Sequence, residues 1–183
     1  MGPASCGLSL LDTRKTVGLG ATLCAGTALA VAAAMGLKPD PRILYNSTLS
    51  APHGFYWLQP VHDARPFKAG ALVVYPVPAR VAALVEARHY LPLSVPLLKP
   101  VTAVAREFVC TRDHRLVVRG QALGIVRTVD SFGRPLPVVE VCGRVPAGFF
   151  YSVSRSPQSF DSRYYGPVSE STVTATATPL WIW

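Results

Sequence analysis

Hydrophobic and polar positions change character sharply near residue 38. The 21 residues from Val17 to Leu37 (VGLGATLCAGTALAVAAAMGL) carry no charge. As a helix they would span roughly 31 Å, close to the hydrocarbon core of a bilayer at about 30 Å. No polar stripe interrupts the run, which argues against a helix buried in a soluble core. From residue 38 onward the pattern is one of short apolar runs broken by proline and glycine. Gly70-Ala-Leu-Val-Val-Tyr75 predicts a strand, stopped by Pro76 and Pro78. Ala79 to Tyr90 places apolar residues at 81, 84 and 85, the spacing of one short helix. Val101 to Val109, Arg115 to Arg119 and Phe149 to Val153 read as further strands, and Asp130 to Arg134 as a turn. Thr172 to Thr178 alternates threonine with valine or alanine, which suits a strand with two different faces. The sum is a mainly β domain with one short helix over residues 38–183, preceded by a single apolar segment at 17–37 and a tail at 1–16.

Charge orients this arrangement. Arg14 and Lys15 precede the apolar run, which puts the tail in the cytoplasm and residues 38–183 outside. A cleavable signal peptide is the competing reading, since Ala28-Leu29-Ala30 and Ala32-Ala33-Ala34 resemble cleavage sites. The length of the apolar stretch favours a retained transmembrane anchor. The net charge of +8 raises the question of nucleic acid, but the basic residues are scattered in runs of no more than two and no zinc-finger or helix-turn-helix pattern occurs. A basic domain beside an anionic bilayer accounts for the charge, with membrane lipid rather than nucleic acid as the partner. Of the four cysteines, Cys6 and Cys24 fall in the tail and the apolar segment, and Cys110 and Cys142 in the outer domain. No C-x-x-C and no His/Cys cluster has metal-ligand spacing, so no metal is expected. In an oxidising compartment Cys110 and Cys142 are a disulfide candidate; the alternative is two buried thiols.

The chemistry centres on NSTLSAPHGFYW, residues 46–57, where hydroxyls precede a proline, a glycine and aromatics. A serine needs a base to take its proton. His53 is a nearby candidate, but a histidine base needs a buried acid to orient it, and Asp63 is the only acid within ten residues. The other candidate is Lys99, flanked by Leu97, Leu98, Pro100 and Val101. An apolar setting disfavours the ammonium and can bring a lysine from about 10.4 towards the 7–8 range useful to a base. The alternative for Lys99 is a lysine whose stem covers a strand while its head reaches water. The closing Pro179-Leu-Trp-Ile-Trp183 suits either a membrane interface or packing against the β domain.

Three segments carry a resemblance. They are Asn46-Ser-Thr-Leu-Ser-Ala-Pro-His-Gly-Phe-Tyr56, Pro96-Leu-Leu-Lys-Pro-Val101 and Phe160-Asp-Ser-Arg-Tyr-Tyr-Gly-Pro-Val168. In that order, behind an apolar N-terminal segment, they resemble the serine-lysine signal peptidases (the S26 peptidases), most closely the conjugative-transfer, TraF-type branch. The resemblance implies a signal-peptidase-like β domain, with Ser50 as nucleophile, Lys99 as general base and Thr48 as an oxyanion donor. It implies that Asp161, Ser162 and Arg163 support the lysine, with Ser162 bonded to the amine and Asp161 paired to Arg163. It places Gly70–Tyr75 along the substrate groove. It further implies an anchored endopeptidase on the outer face of a bacterial inner membrane, without cofactor, acting on a pilin-like precursor within a conjugative or type IV transfer apparatus. A general signal peptidase for secreted preproteins and a catalytically inactive assembly protein are the alternatives. Two stretches depart from the family pattern: Val104-Ala-Arg-Glu107 stands where many members have Leu-Pro-Gly-Asp, and Val153-Ser-Arg155 where Gly-Asp-Asn is usual.

Overall fold

The computed structural model describes residues 42–183; the tail and the apolar segment at 17–37 lie outside the described residues. Eleven strands form two antiparallel sheets. The larger has the order β1-β2-β11-β3-β4-β9-β10 and the smaller β7-β6-β5-β8. Their strands are β1 (Ile43–Asn46), β2 (Gly54–Pro60), β3 (Leu72–Tyr75), β4 (Leu97–Ala103), β5 (Phe108–Arg112), β6 (Arg115–Val118), β7 (Gln121–Ile125), β8 (Cys142–Arg144), β9 (Phe149–Ser152), β10 (Val168–Ser169) and β11 (Ala175–Ile182). Among the described residues no helix is long and apolar enough to cross a membrane.

Each element follows from its side chains. In β2, Gly54, Tyr56 and Leu58 face inward while Phe55, Trp57 and Gln59 face out, the period of two expected of a sheet with one covered face. In β3, Val73, Val74 and Tyr75 are all buried, because this central strand is covered on both faces. Helix α1 (Ala79–Ala87) buries Val81 and Val85, one turn apart. It stops at Arg88, after which His89 takes φ 54° and its N–H donates to Glu86 O. Two core clusters flank the large sheet, one around Val73, Tyr75, Val85 and Phe150 and the other around Tyr56, Leu58, Val74 and Leu98. A third, around Val109, Leu116, Val118 and Tyr151, joins the small sheet to β9.

The mainly β expectation holds, with several local differences. The run from Val101 to Val109 is two strands, since Arg106 turns the chain at φ 72° and Glu107 caps the Val104 N–H at 2.9 Å. Thr172 closes a single helical turn, Glu170–Thr172, and the last strand starts later and runs further than its threonine alternation predicts. A second short helix, α2 (Ser162–Tyr165), follows Asp161, whose carboxylate caps it by accepting from the Arg163 N–H. Cys110 and Cys142 face one another across β5 and β8 and are bonded, S–S 2.11 Å.

Candidate active site

Ser50 sits in the loop between β1 and β2, and one buried side chain shapes that loop. The Asn46 amide nitrogen lies within 3.0 Å of the carbonyls of Thr48, Ala51 and Pro52, while its Oδ1 accepts from the Thr48 N–H and hydroxyl. The Tyr56 hydroxyl donates to Pro52 O at 2.6 Å. Gly54 has φ 143° and lies where a Cβ would come within 2.0 Å of Trp181 O, so only glycine lets β11 pass this close. The asparagine, proline, glycine and tyrosine around Ser50 thus each have a structural task.

Lys99 approaches from β4. It is 4% exposed, and its Nζ donates to Ser50 Oγ at 2.5 Å and to Ser159 Oγ at 2.7 Å. The two serine oxygens are 3.2 Å apart, closing a three-membered cluster. Burial pushes the Lys99 ammonium down to about 8; the Asp161 carboxylate opposes this and the Arg163 guanidinium adds to it. An amine at about 8 is neutral in roughly a tenth of molecules at pH 7 and more above it, and it lies within reach of a hydroxyl proton.

Asp161 and Arg163 are fully buried and paired. Arg163 Nε donates to Asp161 Oδ1 and Nη2 to Oδ2, both at 2.8 Å. The same guanidinium donates to Ile125 O, Ser156 O and Ser159 O, at 2.8, 2.8 and 3.1 Å. Arg163 therefore grips the backbone of the residue whose hydroxyl meets Lys99. Ser162 does not meet the amine: its Oγ accepts from the Ser152 N–H at 2.9 Å, since heading the helix turns it away. Ser159, not singled out in the sequence, takes that position. Its signal was slight, a hydroxyl two residues before an aspartate that caps the next helical turn.

Thr48 lies beside Ser50, and its hydroxyl donates to Asn46 Oδ1 at 2.8 Å. His53 makes no side-chain hydrogen bond to Ser50 or to any carboxylate among the described residues, and its Nε2 is occluded without a partner. Its backbone carbonyl instead receives the Trp183 N–H at 3.0 Å. No group of three or more His, Cys, Asp or Glu among the described residues is arranged to hold a metal. Two cavities, of about 850 and about 580 Å³, meet at Leu49 and Ser50; Lys99 lines the smaller, Gly70 and Leu72 the larger. β4 pairs with β3 from Leu97 to Pro100, whereas β9 pairs only from Val101 on. One edge of β4 beside Lys99 is therefore open.

The family model for "Signal peptidase, peptidase S26" matches residues 17–183. The chain is similar to the conjugal transfer protein TraF of Agrobacterium fabrum, 34% identical over 167 residues that cover 86% of this chain and 91% of the relative. It is similar also to the plasmid transfer protein TraF of Escherichia coli, 28% identical over 173 residues, 87% and 92% of the two chains. A crystal structure of a signal peptidase I from Enterococcus faecalis V583 aligns at 19% identity and a TM-score of 0.38, over 63% of this chain and 100% of that one. With the family match running over nearly its whole length and a relative above 30% identity, the chain belongs to the peptidase S26 signal peptidase family.

Proposed function

We propose that the protein is a membrane-anchored serine endopeptidase that cuts an exported precursor through an acyl-enzyme on Ser50, with Lys99 as general base. The observation that carries this reading is the buried amine 2.5 Å from the Ser50 hydroxyl. Neutral Lys99 takes the Ser50 proton as Oγ adds to the scissile carbonyl. The resulting oxyanion is met by the Ser50 backbone N–H and by the Thr48 hydroxyl, which turns from Asn46 to do so while Asn46 keeps the Thr48 N–H. The Lys99 ammonium then returns its proton to the departing amine as the C–N bond breaks. Water then attacks the acyl carbonyl, giving a proton to Lys99, and Lys99 passes it to Ser50 Oγ as the ester C–O bond breaks. Ser159, held by Arg163 and through it by Asp161, keeps the amine aimed at Ser50.

The precursor lies in extended form along the open edge of β4, bound through its main chain. Two relatives are named for conjugal and plasmid transfer, and this supports a pilin of a conjugative or type IV system as substrate. Arg14, Lys15 and the uncharged run at 17–37 support an anchor in the inner membrane with the catalytic domain in the periplasm. Tyr45, Phe55, Trp57, Trp181 and Trp183 are exposed on the β1-β2-β11 side, where aromatic side chains suit the bilayer interface.

The test is one cleavage assay on the full chain in detergent, with pilin precursors and secretory preproteins as substrates. Ser50→Ala, Lys99→Ala and Lys99→Arg should each abolish cutting, the last because a guanidinium stays protonated. His53→Ala should cut normally. An inactive His53→Ala beside an active Lys99→Ala would make this a histidine-based hydrolase. Cutting of secretory preproteins as readily as pilin would indicate a general signal peptidase. A chain that cuts nothing yet binds transfer components would be an assembly protein.

A further inference from the structure

The larger of the two cavities at Ser50 carries basic side chains, and this deepens the peptidase reading, on which it rests. Apolar side chains such as Leu72, Val101, Leu123 and Val153 line it, and the Arg, Lys, Asp and Glu side chains in its lining are Arg119 and Arg155 alone. Arg155 makes no hydrogen bond or ion pair with any described residue through its side chain, and it is exposed. Arg119 commits Nη1 to Glu107 Oε1 at 2.6 Å and keeps its remaining donors free, with its side chain half exposed. No Asp or Glu side chain lines the cavity.

The backbone at Arg119 adds an independent observation. Arg119 and Gly120 form the two-residue turn between β6 and β7, with φ 50° and 79°. Such a turn favours Asn, Asp or Gly at its first position. An arginine there holds a backbone conformation that disfavours L side chains, and it places a guanidinium at the cavity wall.

The polarity of the groove follows from what each cavity offers. The acyl segment is held by its ester to Ser50 until water attacks, and must stay aligned for that attack. The open edge of β4 borders the smaller cavity, beside Lys99, and supplies that main-chain alignment. The larger cavity then receives the residues beyond the scissile bond, which must depart, and a contact through a few solvated charges releases readily.

We propose that this larger cavity is the subsite for the leaving segment, and that Arg155, with Arg119 beside it, selects precursors bearing an aspartate or glutamate within the first few residues after the cut. The test uses quenched fluorescent peptides with Ala-x-Ala before the cut, amidated at the C-terminus, carrying Glu, Gln or Lys at each of four leaving positions. With the full wild-type chain in a neutral detergent, kcat/KM for Glu should exceed that for Gln by about tenfold at one or more of these positions, as one charge-assisted contact allows. The preference should shrink at high salt. Arg155→Gln should bring the two peptides to near parity, Arg119→Gln should act more weakly, and Arg155→Glu should favour Lys. An unchanged Glu/Gln ratio in the Arg119→Gln, Arg155→Gln double variant, or an acidic preference confined to positions before the cut, would overturn the assignment. If the wild type cuts none of the peptides, the peptidase reading is what fails, and the cavity is then read by fluorescence anisotropy of labelled, uncut peptides on Ser50→Ala protein. Tighter binding of the Glu peptide, lost with an added Arg155→Gln, supports the subsite; equal binding of Glu and Gln peptides overturns it.

Discussion

Replacing Lys99 by methionine should remove the base and at the same time stabilise the fold at neutral pH. In the folded chain burial holds the Lys99 ammonium at about 8, against an ordinary 10.5. Each pH unit of that difference is about 1.36 kcal/mol, so burying the charged form costs roughly 3 kcal/mol. The cost is fully present below about pH 8, where the lysine is charged in both the folded and unfolded chain. Between about 8 and 10.5 the unfolded chain holds the extra proton, so stability rises with pH and the cost fades. Methionine has nearly the same length and no charge. It forfeits two hydrogen bonds, worth together about 1–2 kcal/mol, though Ser50 and Ser159 remain within 3.2 Å of each other. The net gain near pH 7 is about 1–2 kcal/mol, or roughly 2–8 °C in Tm for a domain of this size. The assay is thermal unfolding of the full chain in detergent, followed by tryptophan fluorescence, from about pH 6.5 to 10.5. The wild-type Tm should climb toward that of Lys99→Met across the alkaline half of the range and pass it near the end. A Tm difference that stays constant from pH 7 to 10 would refute the argument, since it would mean that Lys99 keeps its ordinary affinity for protons.

Other consequences are as direct. Ser159→Ala removes an acceptor of the Lys99 ammonium, so the pH at half-maximal kcat/KM should fall below the wild-type value near 8, and the plateau should drop about 10²-fold as the amine loses its aim; an unchanged plateau would leave Ser159 without a positioning role. Cys142→Ser opens a bridge spanning 32 residues and should cost roughly 3–4 kcal/mol in urea unfolding, with the wild type falling to the same value in reductant. Gly54→Ala forces a Cβ against Trp181 O in a backbone conformation that disfavours L side chains, and should lower stability by about 3 kcal/mol or more, seen as a Tm loss.

What the chain reveals before folding divides along physical lines. Val81 and Val85 mark α1 because a helix face is a local property, and the run before Tyr75 marks β3 because a strand covered on both sides needs apolar residues throughout. The apolar neighbours of Lys99 signal its burial, since a four-residue environment is readable in sequence. Ser159 is not readable in that way: its position depends on Arg163, which is anchored on carbonyls as distant as Ile125. Phe55 and Trp57 alternate with Tyr56 and Leu58, yet nothing local decides which set faces the core; the neighbours of β2 decide it. Ser162 rather than Ser159 is the natural choice from sequence, because the helical turn that carries Ser162 away exists only once Asp161 caps it.

The strand that comes last in chain order among the eleven lies in the middle of the large sheet, between β2 and β3. Among the described residues it is the only strand joining the hairpin that carries Ser50 to the pair that carries Lys99. During synthesis Ser50 and Lys99 both emerge long before the strand that joins their supports. A nascent chain with β1 to β10 complete still has an unbridged gap across its sheet and an exposed row of backbone donors on β2 and β3. The proposed Ser50–Lys99 pair therefore takes its final setting only when β11 is in place, as a clasp closes a bracelet. The same order makes it a slow folder, dependent on a contact between distant parts of the chain.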